Sequence, residues 1–332
     1  MRAMLILAAL AFAQTAPQLG PMNLYGDWAV ACDNVRRCEM TSLQSASAEG
    51  ADDRWQLSLT RAAGPTGGWV VELFGEDAPV GVTLQVEGAA AVWRGERLVG
   101  AAAQSLVDAM VNGKALLVRD RSGKAVARVS LAGSSASLRF IDAQQGRAGT
   151  VTAAVAKGPR GAATVPAAAP LPVITAVRAA GTPATVSRAL RDQLGSRYEC
   201  ASNYDPGSLP DLERFALGGG ATLVLIPCGA GAYNFSSVPY IVRAGKAQLA
   251  RFDAATGFGE NEGPPMLVNA GFDAKTGELT SYAKGRGLGD CGTAQSFVWD
   301  GTRFRLTEQR VMDDCRGSTN WLAVWRARAV AK

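Results

Sequence analysis

No histidine occurs anywhere in the 332 residues. A Ser-His-Asp triad, a Cys-His pair and an imidazole metal ligand are therefore excluded, and no imidazole titrates near neutral pH. Any chemistry would fall to carboxylates, Lys, Tyr or an activated thiol. Aromatic residues make up 7% and charged residues 19% of the chain, against 48% hydrophobic residues, a balance suited to a globular protein with a substantial core. The basic side chains are scattered, with no run longer than Arg36-Arg37, so no nucleic-acid-binding stripe is present. A formal charge of +5 still leaves a weak preference for anionic partners, because guanidinium groups pair bidentately with carboxylates and phosphates.

Long apolar runs are missing too. The opening MRAMLILAALAFAQ is too short for the roughly 20 residues that a membrane-spanning helix needs. It has the layout of a bacterial secretory signal peptide: Arg2 as the positive start, Met4 to Leu10 as the apolar core, and Ala11-Phe12-Ala13 as the cleavage site. No cysteine follows it directly to accept a lipid. Residues 1–13 are thus expected to be removed, and the mature chain is expected in the periplasm without a transmembrane segment.

The six cysteines are Cys32, Cys38, Cys200, Cys228, Cys291 and Cys315. No C-x-x-C pair occurs and no histidine is present to complete a zinc set, so no metal or other cofactor is expected. An even count behind an export signal predicts disulfides. Closure between nearest neighbours costs the least loop entropy and gives Cys32–Cys38, Cys200–Cys228 and Cys291–Cys315. A thiol-redox role would call for C-x-x-C at a helix start, so these pairs read as staples.

A stretch rich in Ala, Pro and Gly over 158–182 reads as a semi-extended linker. It separates a first domain over 20–157 from a second over 183–332. The first is β-rich: Trp55, Leu57 and Leu59, then Val82, Leu84 and Val86, alternate with polar residues, and Trp69–Phe74 reads as a more buried strand. Helix spacing appears at Ala103, Leu106, Val107 and Met110, and again from Ser134 through Leu138 and Ile141 to Gly146. The second domain should open with a helix capped by Thr182, with Pro183 in its first turn, Val186, Leu190 and Leu194 on one face, and Gly195 at its end. Hairpins follow. Asp300-Gly301 predicts a two-residue turn with Phe297 opposite Phe304 and Trp299 opposite Thr302, and Asp273–Gly277 makes another. The expected fold class is mainly β with short helices (α+β). It comprises an N-terminal β-sandwich or barrel-like domain and a C-terminal antiparallel β domain preceded by a helix.

The segment GRGLGDCGT (285–293) contains a G-x-G-x-x-G match. A dinucleotide loop needs a helix after it to hold the pyrophosphate, whereas Ala294–Gly301 reads as a strand entering a turn. The match is read as accidental, its glycines serving positive φ and close backbone approach beside a disulfide.

Four stretches together carry a family resemblance: YGDWAVACDNVRRCEM (25–40), FIDAQQGRAGTVTAAVAKGP (140–159), GRGLGDCG (285–292) and WDGTRFRLTEQRVMDDCRG (299–317). They resemble a secreted proteobacterial family catalogued as domain of unknown function 1176, over essentially the whole mature chain. Residues 22–157 are also similar, more loosely, to the invasion-associated locus B proteins through DWAVACD and SLRFIDA. Neither family has an established catalytic mechanism. The resemblance implies a periplasmic location and, through locus B, at most a role at the envelope or in host contact.

Two clusters stand out as candidate sites. If Cys291 and Cys315 pair, Arg286, Asp290, Asp313, Asp314 and Arg316 come within reach of one disulfide. That gathering offers either a polar pocket with a raised carboxylate pKa for acid–base work on a sugar, or Asx-turns balanced by arginine. Asp27, Trp28 and Asp33 form the second cluster, either an exposed aromatic-acidic lip for glycan or protein contact, or a core tryptophan beside a turn. No catalytic residue is assigned. The leading reading is a non-enzymatic periplasmic protein that binds an envelope component or an extracellular protein or glycan. The alternatives are a carboxylate-dependent glycan-acting enzyme with its site near Asp290 and Asp314, and an inhibitor of a secreted hydrolase such as lysozyme. An enzyme needs two facing carboxylates in a pocket, a binder an apolar patch, and an inhibitor a protruding stapled loop.

Overall fold

A computed structural model describes residues 16–45, 55–74, 81–205, 210–259 and 263–332. The expected signal peptide lies outside the described residues. The described fold is mainly β with three short α-helices, and its sheets are open, none closing into a barrel.

In the first half, Met22–Tyr25, Trp28–Cys32, Cys38–Ser42, Gln56–Arg61, Trp69–Phe74 and Arg97–Val99 form a six-stranded antiparallel sheet in that order. A second sheet runs Ala125–Ser130, Ala115–Arg119, Thr83–Val86, Trp93–Arg94. The two sheets share one core with helices α1 (Gly100–Met110) and α2 (Ser134–Gln144). Leu57, Leu59 and Val71 enter it from the first sheet, Leu84, Leu116 and Val118 from the second. Ala103, Leu106, Val107 and Met110 of α1 and Leu138 and Ile141 of α2 fill the rest, as their spacing predicts. Each large apolar side chain taken fully from water contributes about 1.5–3 kcal/mol.

In the second half, Glu213–Gly218, Ala221–Ala230, Phe235–Arg243 and Lys246–Leu249 form one antiparallel sheet, with Leu267–Val268 also paired to Phe235–Arg243. Gly271–Asp273, Glu278–Lys284, Gly292–Trp299, Phe304–Met312 and Leu322–Arg326 form another. Leu223 and Leu225 face the core between these sheets, with Leu279, Phe297, Phe304 and Leu306. Val224 and Ile226, on the opposite face of the same strand, pack with Tyr240 and with Leu194 of helix α3 (Arg188–Ser196). Burial on both faces explains the apolar run from Leu223 to Ile226.

A third cluster crosses between the halves. In Trp28–Cys32, Trp28, Val30 and Cys32 point into the first core, while Ala29 and Ala31 pack with Leu43 against Cys291, Met312, Trp321, Leu322 and Val324. The small alanines let the two sheets approach closely, and the strand is buried along its full length.

Three local expectations are corrected. Helix α3 begins at Arg188, capped by Ser187, whose hydroxyl accepts from the Leu190 amide at 3.2 Å, and Gly195 lies inside it. Residues 182–187 are not helical, and the Ala184 amide donates to Thr222 Oγ1 at 2.8 Å. The hairpin pairs Trp299 with Phe304 and Phe297 with Leu306. Its loop is longer than two residues because the Asp300 carboxylate accepts from the amides of Thr302 and Arg303. Within the stretch expected as linker, Val173–Ala176 pairs in parallel with Arg328–Ala331 near the chain end.

Candidate functional site

The three disulfides join Cys32–Cys38, Cys200–Cys228 and Cys291–Cys315, the nearest-neighbour set. Around the last of them the chain makes the tight hairpin 285–291 between Glu278–Lys284 and Gly292–Trp299. Gly285 donates to the Cys291 carbonyl at 2.8 Å, and a β-carbon on Gly285 would sit 2.7 Å from Cys291 Sγ. Gly289 takes φ +67 and Gly292 φ +133, where an added β-carbon would overlap the Ala283 oxygen. The glycines therefore serve turn geometry and close approach at a disulfide, and a strand, not a helix, follows them.

Asp290 is 1% exposed. Arg286 grips it with Nε to Oδ1 at 2.8 Å and Nη2 to Oδ2 at 2.5 Å, and the Gly317 amide donates to Oδ2 at 2.7 Å. The Arg286 guanidinium first, and the Gly317 amide with it, hold the Asp290 carboxyl below the usual aspartate range. A general acid requires the opposite, a carboxyl raised by an apolar setting or a like charge. Asp314 accepts from Arg316 Nε at 2.8 Å, and Asp313 is exposed. The arrangement pairs Arg286 with Asp290, and Arg316 with Asp314 and Asp27. Among the described residues no group of three or more Cys, Asp or Glu side chains is placed to hold a metal ion.

The two candidate clusters, far apart in sequence, meet. Arg316 Nη1 donates to Asp27 Oδ1 at 3.1 Å and Nη2 to the Gly26 carbonyl at 2.7 Å. Arg326 Nε donates to Asp33 Oδ2 at 2.6 Å, and the Asn34 amide side chain brackets the Arg326 backbone at both ends. Glu39 accepts from the Ala323 amide, Gln56 donates to the Gly317 carbonyl and Asn320 to Ser58. Asp27, Asp33, Arg316 and Arg326 are thus rivets of a polar seam around the shared alanine-faced cluster. Trp28 is 0% exposed, its indole N–H donating to the Ser130 carbonyl at 2.9 Å, so the exposed aromatic lip is not present: the ring is a core anchor. Sequence reasoning missed Asn34, Glu39, Asn320 and Arg326 because partners some 260 to 290 positions apart leave no local signal.

Beyond the seam, the 285–291 loop carries Leu288 at 72% exposure, and on the turn that meets this loop Tyr233 and Phe235 are 36% and 58% exposed. Tyr233 lies against Gly287, and its hydroxyl donates to the Gly285 carbonyl at 3.3 Å. Asn234 bonds both the carbonyl and the amide of Lys284. Asn269, at φ +45, donates to Tyr233 O, Asn234 Oδ1 and Tyr282 O and accepts from the Phe235 amide. Hydrogen bonds thus lace three turns together, with Tyr233, Phe235 and Leu288 exposed on them. The only sequence signal for it is Leu288, an apolar residue stranded between two glycines.

A family model described as "Protein of unknown function (DUF1176)" matches residues 23–328. The chain is 30% identical over 335 aligned positions to "Uncharacterized protein YpfG" of Escherichia coli strain K12, covering 92% of each chain. A solved structure titled as invasion associated protein B from Bartonella henselae aligns with 38% of this chain and 99% of its own, at 20% identity and a TM-score of 0.29.

Proposed function

The chain belongs to the DUF1176 family, whose function is unknown, and on that footing we propose that it is a non-enzymatic, exported binding protein that engages an envelope or extracellular partner through the Tyr233–Phe235–Leu288 projection. The observation that carries this reading is Leu288, 72% exposed at the end of a loop fixed at both ends. Its fixings are the Cys291–Cys315 bond, the Arg286–Asp290 pair and the Asn234–Asn269 network. A single exposed leucine needs no explanation, but an aliphatic and two aromatic side chains on interlocked turns make an anchor of the kind that fills a partner's pocket. Because the turns are already ordered, little conformational entropy is lost on docking. Export to the periplasm is supported by the three disulfides, which suit an oxidising compartment. No helix among the described residues is long and apolar enough to cross a membrane.

The same loop favours the inhibitor of a secreted hydrolase as a second reading, since a stapled apolar projection is the shape that plugs a concave active site. The test compares the intact mature protein with Leu288→Asp combined with Phe235→Ser. Both side chains point to solvent, so melting should be unchanged while capture of a periplasmic partner is lost. Capture of the same partner by both forms would overturn the reading. Inhibition of lysozyme by the intact protein, abolished in the double variant, would identify the partner class.

A further inference from the structure

We propose that the protein binds a neutral sugar in the cavity between the segment 16–19, the loop 252–259 and the strands Gly292–Trp299 and Phe304–Met312. The cavity has a volume of about 590 Å³, within the roughly 300–1,000 Å³ of small-molecule sites.

The cavity floor carries an amide network with one open end. Gln295 and Gln309 pair across the two strands, at 4% and 8% exposure, and both line the cavity. Gln295 is fully satisfied. Its Oε1 accepts from the Gly257 amide at 3.1 Å, and its Nε2 donates to the Ala255 carbonyl at 2.7 Å and to Gln309 Oε1 at 3.1 Å. A main-chain amide only donates and a carbonyl only accepts, so the orientation of Gln295 is fixed, and that of Gln309 with it. Gln309 Nε2 is therefore the amide atom turned from Gln295, and its two N–H groups meet no acceptor among the described residues. The buried side-chain atoms that lack both a partner and solvent contact lie elsewhere, so Nε2 keeps an accessible surface. With the rest of Gln309 buried, that surface belongs to the cavity it lines. Thr293 lies two residues before Gln295, on the same face of the strand, and adds a hydroxyl that also has no partner among the described residues.

These groups select the ligand. The ionisable side chain at the cavity, Asp253, is spent on Arg305 Nε at 2.5 Å and on the Leu306 amide at 2.8 Å. A charged ligand would thus lose water without meeting a counter-charge. A hydrocarbon would leave the Gln309 donors unpaired. A peptide adding a strand would need free main chain, yet both floor strands lie inside their sheet with a neighbour on either side. A sugar ring meets each condition. Its hydroxyl oxygens suit Gln309 and Thr293, and its C–H faces suit Phe258 and Leu19, which line the cavity at 56% and 47% exposure.

The test uses the full exported chain, with glucose, N-acetylglucosamine, glucuronate and the capped dipeptide N-acetyl-alanylalanine amide titrated separately by calorimetry and saturation-transfer NMR. Saturable binding of either neutral sugar, millimolar or tighter, supports the site. Gln309→Met keeps the length of the side chain and removes its amide, and should weaken binding about tenfold. Since that change also takes an acceptor from Gln295, Phe258→Ser serves as the second variant. Its ring is more than half exposed, so it should weaken binding more than twofold with the urea midpoint unchanged. Three results would each overturn the proposal: no saturable binding of either neutral sugar, glucuronate or the dipeptide binding as tightly as the better sugar, or an affinity within twofold of the parent in either variant.

Discussion

Asp33 shows at the residue scale how a carboxylate chosen on sequence grounds as a contact residue serves the fold. One oxygen accepts the Val35 and Arg37 amides at 3.0 and 2.8 Å, closing the turn inside the Cys32–Cys38 loop. The other holds Arg326 from the far end of the chain. The Asx-turn was legible, because Asp beside a disulfide loop has few other uses; the arginine was not. Asp33→Ala should cost about 2–3 kcal/mol of stability, read from urea unfolding, since charged hydrogen bonds contribute about 1.5–3 kcal/mol each. Asp290 makes a prediction in pH. Its folded carboxyl lies below the ordinary value, so its stabilisation is complete above the unfolded value and is lost as pH falls through about 4 toward the folded one. Melting from neutral to strongly acid pH should show that decline, shallower in Asp290→Asn. With no histidine in the chain, no imidazole contributes a stability change between about pH 5 and 8.

Among elements, those whose partners are local were the legible ones. α1 declares itself through Ala103, Leu106, Val107 and Met110, and the Cys291–Cys315 loop through proximity in sequence. Val173–Ala176 was opaque because its parallel partner, Arg328–Ala331, lies at the other end of the second half, and a short Ala- and Pro-flanked strand has no amphipathic period to read. The Asp300 hairpin was misjudged because a capping carboxylate lengthened a turn that Asp-Gly alone would keep at two residues. The 285–291 loop yields a sharper expectation. Gly292→Ala forces a β-carbon to within 2.0 Å of the Ala283 oxygen at φ +133. It should destabilise by at least about 3 kcal/mol, through strain that no neighbouring side chain can relieve. Removing the Cys291–Cys315 pair by double serine substitution should cost about 2–4 kcal/mol by calorimetry.

For the whole molecule, the consequence of the seam is that the two halves, so different in cysteine content, share a face. Leu322 is fully buried there between the Ala29–Ala31 strand and its own sheet. Leu322→Ala should lower stability by about 2–5 kcal/mol. The arginines and aspartates that looked like a candidate site bridge this joint and, through Asp290, tie the 285–291 loop to Gly317. The most direct measurement is the urea midpoint of Asp290→Ala beside that of Leu288→Asp. A structural brace predicts a loss of about 1–3 kcal/mol for the first, because Gly317 and Arg286 lose their acceptor, and none for the second. Parental stability in Asp290→Ala would contradict it.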